Sequence, residues 1–222
     1  MKNLLILFIV ICICSNIFAQ NIYNHVPSKV DISKKYLFYL HGVIVENQGI
    51  RPVSEKYGTY KYEEILKSLA VNNVNVISEA RRKNTDILEY AKKVSAQIDS
   101  LLKSGVPIKN ISVVGASKGG GIAVMVSHLM KNEELKFVIM SICNKKTAGI
   151  WKENGIKLWG KVLNIYDVND EIAGSCTCYL DFLKSSGLKE YKEIEVKLGL
   201  GHGILYSPLK EWVLPALEWA QK

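Results

Sequence analysis

Beyond residue 19 the sequence has no apolar run approaching the roughly 20 residues that a helix needs to span a bilayer, which excludes a helical membrane span there. Cysteine is scarce. Of five, Cys12 and Cys14 fall in an N-terminal apolar stretch, leaving Cys143, Cys176 and Cys178. No second ligand pair stands at zinc-site spacing from Cys176 and Cys178, so no metal site is expected. Three cysteines leave at least one thiol unpaired within the chain, and a bridge from Cys143 to either Cys176 or Cys178 fits the sequence equally. Lysine and arginine outnumber aspartate and glutamate by 29 to 21, a formal charge of +8. The cations are scattered, however, and form no basic block. A solvated surface is the reading, and no nucleic-acid partner is expected. Internal repeats, low-complexity tracts and interdomain linkers are all missing, which leaves one folded domain.

What is present begins with Lys2, an apolar run from Leu4 to Cys14, and Ser15-Asn16-Ile17-Phe18-Ala19. That order matches a secretory signal peptide cut after Ala19. Residues 1–19 are thus expected to be the signal and 20–222 the folded domain, secreted or periplasmic and without a stable membrane anchor. A retained anchor is the weaker alternative, and Ile11 and Ile13 disfavour lipid attachment at Cys12 or Cys14. About 200 residues, in a chain 48% hydrophobic and 23% charged, suffice for one α/β domain with a sizeable core.

Short apolar runs alternate with longer amphipathic ones. Strands are predicted at Tyr36–Leu40, Asn75–Ser78, Ile111–Gly115, Phe137–Ser141, Val162–Tyr166 and Ile194–Leu198. Most are continuously apolar, as in a parallel sheet covered on both faces. The last alternates and reads as an edge strand with one wet face. Helices are predicted at Tyr60–Leu69, Thr85–Leu102, Gly120–Met130, Thr177–Ser185 and Leu209–Ala220. In the second, Ile87, Tyr90, Ala91, Val94, Ile98 and Leu101 form one stripe, with Thr85 as the expected cap. Right-handed crossovers then give a doubly wound, three-layer α/β/α sandwich with a mainly parallel sheet of about six strands.

Gly115-Ala116-Ser117-Lys118-Gly119 satisfies G-x-S-x-G between a predicted strand and a predicted helix. A serine held on so sharp a turn has a strained backbone, and side chains at the flanking positions would collide, so glycine is required there. With this motif in place, the chain from Tyr36 onward resembles the α/β-hydrolase superfamily. Three further landmarks carry the resemblance. Leu40-His41-Gly42-Val43 follows the first strand, where the family places part of its oxyanion hole. The likeness implies backbone N–H donors from Val43 and Lys118, with His41 holding the loop. Ile165-Tyr166-Asp167-Val168-Asn169-Asp170-Glu171-Ile172 spans the region of the family acid. Asp170, with Ile172 after it, fits best; Asp167 is the rival and Glu171 the third choice. Leu200-Gly201-His202-Gly203 follows the last strand and supplies the base. The order Ser, Asp, His is that of the fold.

The resemblance implies an exported serine hydrolase that cleaves carboxylic esters on small molecules or carbohydrates, through an acyl-enzyme on Ser117 and without a cofactor. A serine peptidase or amidase of the same fold is one alternative, and a non-catalytic binding protein on the scaffold is the other. Arg51, Arg81 and Arg82 are candidates for anion recognition, with a salt bridge to Glu46 or Glu79 as the competing role. The family's large lids have no room between Asn144 and Gly160, where Ile150, Trp151, Leu158 and Trp159 suggest one short helix and an apolar wall. Its first antiparallel strands are expected to be missing or reduced.

Overall fold

The computed structural model describes residues 21–71 and 73–222; the expected signal peptide lies outside the described residues. Among the described residues nine strands occur: β1 (Ile22–Tyr23), β2 (Lys35–Leu40), β3 (Val53–Ser54), β4 (Gly58–Thr59), β5 (Val74–Ile77), β6 (Ile111–Ala116), β7 (Lys136–Met140), β8 (Leu158–Asp167) and β9 (Lys184–Val196). Seven form one sheet in the order β1-β5-β2-β6-β7-β8-β9, and every neighbouring pair in it is parallel. β3 and β4, two residues each, make a separate antiparallel hairpin. The α-helices of the described residues are α1 (Val43–Gln48), α2 (Tyr62–Leu69), α3 (Ile87–Lys103), α4 (Lys118–Met130), α5 (Lys145–Glu153), α6 (Leu180–Leu183) and α7 (Lys210–Gln221).

The continuous apolar strands are explained by two cores. Side chains alternate across a strand, so Leu37 and Tyr39 join α2 and α7 on one face, while Tyr36, Phe38 and Leu40 join α3 and α4 on the other. The predicted three-layer α/β/α sandwich is the one observed. Seven strands stand where about six were expected, because Ile22–Tyr23 adds a parallel edge beside β5. No antiparallel strand joins this sheet among the described residues.

Boundaries moved where local chemistry overrode pattern. Asp86, not Thr85, caps α3: its carboxylate accepts the Glu89 N–H at 2.9 Å, while the Thr85 hydroxyl donates to the Arg82 carbonyl. The helix expected to reach Ser185 ends at Leu183. There the chain turns into β9, and the Ser185 hydroxyl donates to the Leu158 carbonyl at 2.6 Å. A Cβ on Gly187 would sit 2.1 Å from the Trp159 ring, so this strand glycine marks a close approach. The edge strand expected at Ile194–Leu198 from its alternating pattern is β9, which begins ten residues earlier and ends at Val196.

Candidate active site

β2 and β6 are hydrogen-bonded neighbours, yet the chain visits β5 on the far side of β2 between them. Such a switch in winding opens a crevice beyond the carboxyl ends of the two strands. The turns after β2 and β6 meet there: a Cβ on Gly42 would lie 3.6 Å from the Cβ of Ser117.

Ser117 links β6 to α4 with φ +51° and ψ −120°, a strained conformation for a residue with a side chain. The glycine requirement at this turn is visible atom by atom. A Cβ on Gly115 would come 2.2 Å from the Gly119 carbonyl oxygen, and one on Gly119 would come 1.8 Å from that of Leu40.

His202 lies on a 3-10 turn, Gly201–Tyr206, after β9. Its Nε2 is 3.0 Å from Ser117 Oγ and its Nδ1 is 2.9 Å from Asp170 Oδ2. With Nδ1–H donating to the carboxylate, Nε2 is left as acceptor for the serine hydroxyl. Asp170 Oδ1 accepts the amides of Ile172 at 2.9 Å and Ala173 at 3.2 Å. Burial pushes the Asp170 pKa up, but the bond from His202 and the amide of Ile172 outweigh it and hold the carboxyl below its ordinary value. The glycines on either side of His202 allow close packing. Gly201 has φ +55°, and a Cβ there would meet the Asn169 carbonyl oxygen at 2.9 Å.

Asp167 has a different place. It is buried, with Oδ1 accepting the Asn169 amide at 2.9 Å and Oδ2 the Leu198 amide at 3.0 Å, so it ties the loop of Asp170 to the loop of His202. Glu171 is exposed and pairs with Lys56. Cys143 is bridged to Cys176, and the Gly174 amide donates to the Cys143 carbonyl at 2.8 Å, so the far end of the Asp170 loop is anchored too. Among the described residues Cys178 is the free thiol, and it is exposed.

Val43 and Lys118 each open a helix, α1 and α4, where the first N–H groups lack intrahelical acceptors. His41 is fully buried; its Nδ1 donates to the Gly42 carbonyl at 2.8 Å and its Nε2 accepts the Arg81 amide at 2.9 Å. The Gly42 carbonyl and the Val43 N–H belong to one planar peptide, so this bond fixes the direction of the Val43 donor. Burial and the adjacent Arg81 guanidinium lower the His41 pKa to about 3, leaving the ring neutral.

Of the arginines considered for substrate recognition, Arg81 is buried, and its Nε donates to Glu46 at 2.8 Å with both side chains fully inaccessible. It therefore serves the ion pair and not a ligand. Arg51 and Arg82 are exposed and do not line the cavity beside Ser117. That cavity measures about 280 Å³. Val43 and Ile44 form one wall, Tyr57, Tyr60 and Tyr206 another, and Ile172 and Leu205 complete it around Ser117 and His202. Tyr57, on the β3–β4 hairpin, also packs against His202. A neighbouring cavity of about 420 Å³ shares Tyr57 and Tyr206 with it. Between Asn144 and Gly160, α5 is the sole helix, with Trp151 buried and Ile150 exposed; Leu158 and Trp159 belong to β8. Among the described residues no cap domain covers the crevice. Among the described residues, no group of three or more His, Cys, Asp and Glu side chains is arranged to hold a metal.

No family model matches the sequence, and no curated protein matches it. Solved structures do. SOBER1 of Arabidopsis thaliana is 17% identical, with 85% of this chain and 98% of that chain covered at a TM-score of 0.57. A lipase-esterase related protein of Clostridium acetobutylicum is 14% identical over 85% of this chain and 96% of its own, TM-score 0.54. The RedJ thioesterase of Streptomyces coelicolor is 11% identical over 87% and 89%, TM-score 0.51. The parallel sheet and its flanking helices match these structures at the level of the fold: the protein has the α/β-hydrolase fold.

Proposed function

We propose that this chain is a serine hydrolase acting on carboxylic esters, with Ser117 as nucleophile, His202 as general base and Asp170 as the group that orients it. One observation carries the reading: the unbroken hydrogen-bonded chain from Ser117 through His202 to Asp170, at the mouth of an apolar cavity. That a lipase-esterase related protein and a thioesterase are among the similar folds points the same way.

In this mechanism His202 Nε2 takes the hydroxyl proton as Ser117 attacks the carbonyl. Asp170 stabilises the imidazolium that forms. The tetrahedral oxyanion is held by the N–H groups of Val43 and Lys118, donors fixed before the reaction begins. His202 returns its proton to the leaving alcohol, and water, deprotonated by the same ring, releases the acid from the acyl-enzyme. The apolar lining of the 280 Å³ cavity suits an uncharged, short acyl or aryl group. The uncapped approach leaves room for a polar, carbohydrate-linked alcohol on the other side. Export through residues 1–19 belongs to the same proposal, and a bridge between Cys143 and Cys176 suits an oxidising compartment.

Turnover of a series of p-nitrophenyl acyl esters, set beside the matching anilides, tests the reading. Short-chain esters should be cleaved at least tenfold faster than the amides, and Ser117→Ala should abolish both activities. Preferential anilide cleavage would make the chain an amidase; no turnover, with Ser117 inert to a fluorophosphonate, would make it a binding protein.

A further inference from the structure

An oxyanion hole built from Val43 and Lys118 has a mechanical problem, because its two donors belong to different segments. Val43 opens α1 after β2, and Lys118 opens α4 after β6. Among the described residues, no main-chain hydrogen bond joins α1 to α4. The pairing of β2 with β6 and the contact of Gly119 with Leu40 bring the two turns together, but the fine placement of each helix start needs a further tie, and the donors help only if it is held closely.

Side chains span the gap. Glu46 sits three residues after Val43 on α1, and its carboxylate is wholly buried. Its Oε2 accepts from Lys118 Nζ at 2.6 Å, and its Oε1 accepts from Arg81 Nε. Lys118 Nζ also donates to the Thr85 carbonyl at 2.6 Å, reaching the segment that leads into α3. Arg81 in turn donates through Nη2 to the His41 carbonyl, one peptide before the Gly42–Val43 unit. One carboxylate thus bridges two cations and joins the turns after β2, β5 and β6. A buried carboxylate held by two charged donors is a short-range, directional tether, and its geometry is transmitted to both backbone amides.

We infer that the Lys118 side chain, through Glu46 and Arg81, is a positioning element that sets the spacing of the Val43 and Lys118 amides. The residue after the nucleophile then has two separable parts: its N–H faces the oxyanion, and its ammonium group fixes the opposite rim. This rests on the hydrolase reading. It gives the lysine of Gly115-Ala116-Ser117-Lys118-Gly119 a task that the five-residue pattern leaves unassigned.

Lys118→Met separates the parts, because the residue-118 amide remains, the side-chain stem is similar in length, and Glu46 keeps Arg81 as partner. The measurements are kcat and KM on a p-nitrophenyl ester, and the affinity of an alkyl trifluoromethyl ketone, which adds to serine as an anionic tetrahedral adduct. A misplaced donor should cost less than a deleted one, whose removal lowers kcat by about 10²–10³-fold. The expectation is a fall in kcat of about 10- to 100-fold with KM changed by less than about twofold. Ketone affinity should fall by the same factor as kcat/KM, and Lys118→Arg should recover most of the loss. Combining Glu46→Gln with Lys118→Met should add little, as for residues that act as a unit. A folded Lys118→Met protein with wild-type kcat and ketone affinity overturns the inference while leaving the hydrolase standing. If it does not fold, Lys118→Gln is read in the same way; failure of both assigns the side chain to stability alone and also overturns it. An inert wild-type protein that does not react at Ser117 instead sinks the hydrolase reading itself.

Discussion

On the Ser117 side of the crevice, geometry is imposed by close approach and buried charge; on the Asp170 and His202 side, it is imposed by main-chain hydrogen bonds and a covalent bridge. The first side has glycines with no room for a Cβ, and a carboxylate, Glu46, clasped by Arg81 and Lys118. The second has Asp167 accepting amides from both loops, Asp170 accepting two more, and Cys143 bonded to Cys176 beyond them. The difference follows from topology. Ser117 sits at the middle of the sheet, where strand ends crowd together. The acid and base sit towards the β9 edge, where loops have fewer neighbours and must supply their own partners.

The comparison breaks most sharply at the two aspartates. Asp170→Asn should lower kcat by about 10³–10⁴-fold, since the amide no longer favours the tautomer with Nδ1–H towards it. Unfolding should change far less. Asp167→Asn should do the reverse. One of the Asn169 and Leu198 amides loses its acceptor, costing about 1–3 kcal/mol in urea denaturation, while kcat falls by less than about tenfold. Equal kinetic damage from both would erase the distinction.

Gly119→Ala tests the crowded side. Its Cβ would be driven against the Leu40 carbonyl, so a loss of about 3 kcal/mol or more and collapse of activity are expected by thermal denaturation and ester assay. Gly149→Ala, in α5 with nothing within 4 Å, is the control and should gain up to about 1 kcal/mol.

Removing the bridge with Cys143→Ser and Cys176→Ser together tests the other side. A link across 33 residues is worth about 3–4 kcal/mol through restriction of the unfolded chain. The Asp170 loop should loosen with it, giving a kcat several-fold lower.

Acid should expose the first side more gradually. His41 is neutral when folded, with a pKa near 3 caused by burial and Arg81, whereas the unfolded chain takes up a proton below about pH 6.5. The unfolded state therefore binds more protons across that window, and stability falls as pH drops from about 6.5 towards 3. One proton gives a slope of about 1.4 kcal/mol per pH unit. Asp170, whose folded pKa is lowered, adds to the loss further down: its contribution is present above its unfolded pKa and disappears as pH falls through the folded one. Urea midpoints at pH 7, 5 and 4 measure the trend, and His41→Gln should flatten it between pH 6.5 and 4.

Local chemistry was legible in the sequence, and distant pairing was not. Continuous apolar strands announced a sheet buried on both faces. The Gly115–Gly119 turn announced the elbow because its steric demand is written in five adjacent residues. His202 was legible because a histidine between glycines has no place in a packed core. The Arg81–Glu46 ion pair was one of two readings open to the sequence, whereas the part of Lys118 was opaque: it meets Glu46 from 72 residues away, and no periodicity records such a meeting. Arg81 stayed open between anion recognition and the ion pair because composition cannot say on which side of a loop a guanidinium is buried. Tyr57 was missed because a hairpin with strands of two residues each leaves no pattern. The choice between Cys176 and Cys178 turned on burial, with Cys176 fully enclosed and Cys178 exposed.

Trapping the acyl-enzyme tests the central claim most directly. The protein is mixed with a p-nitrophenyl ester, quenched in acid within the first turnover, digested and weighed by mass spectrometry. One acyl group on the peptide containing Ser117, missing in His202→Ala, is the predicted result. Ester turnover with no adduct, or with the acyl group on another residue, would contradict it.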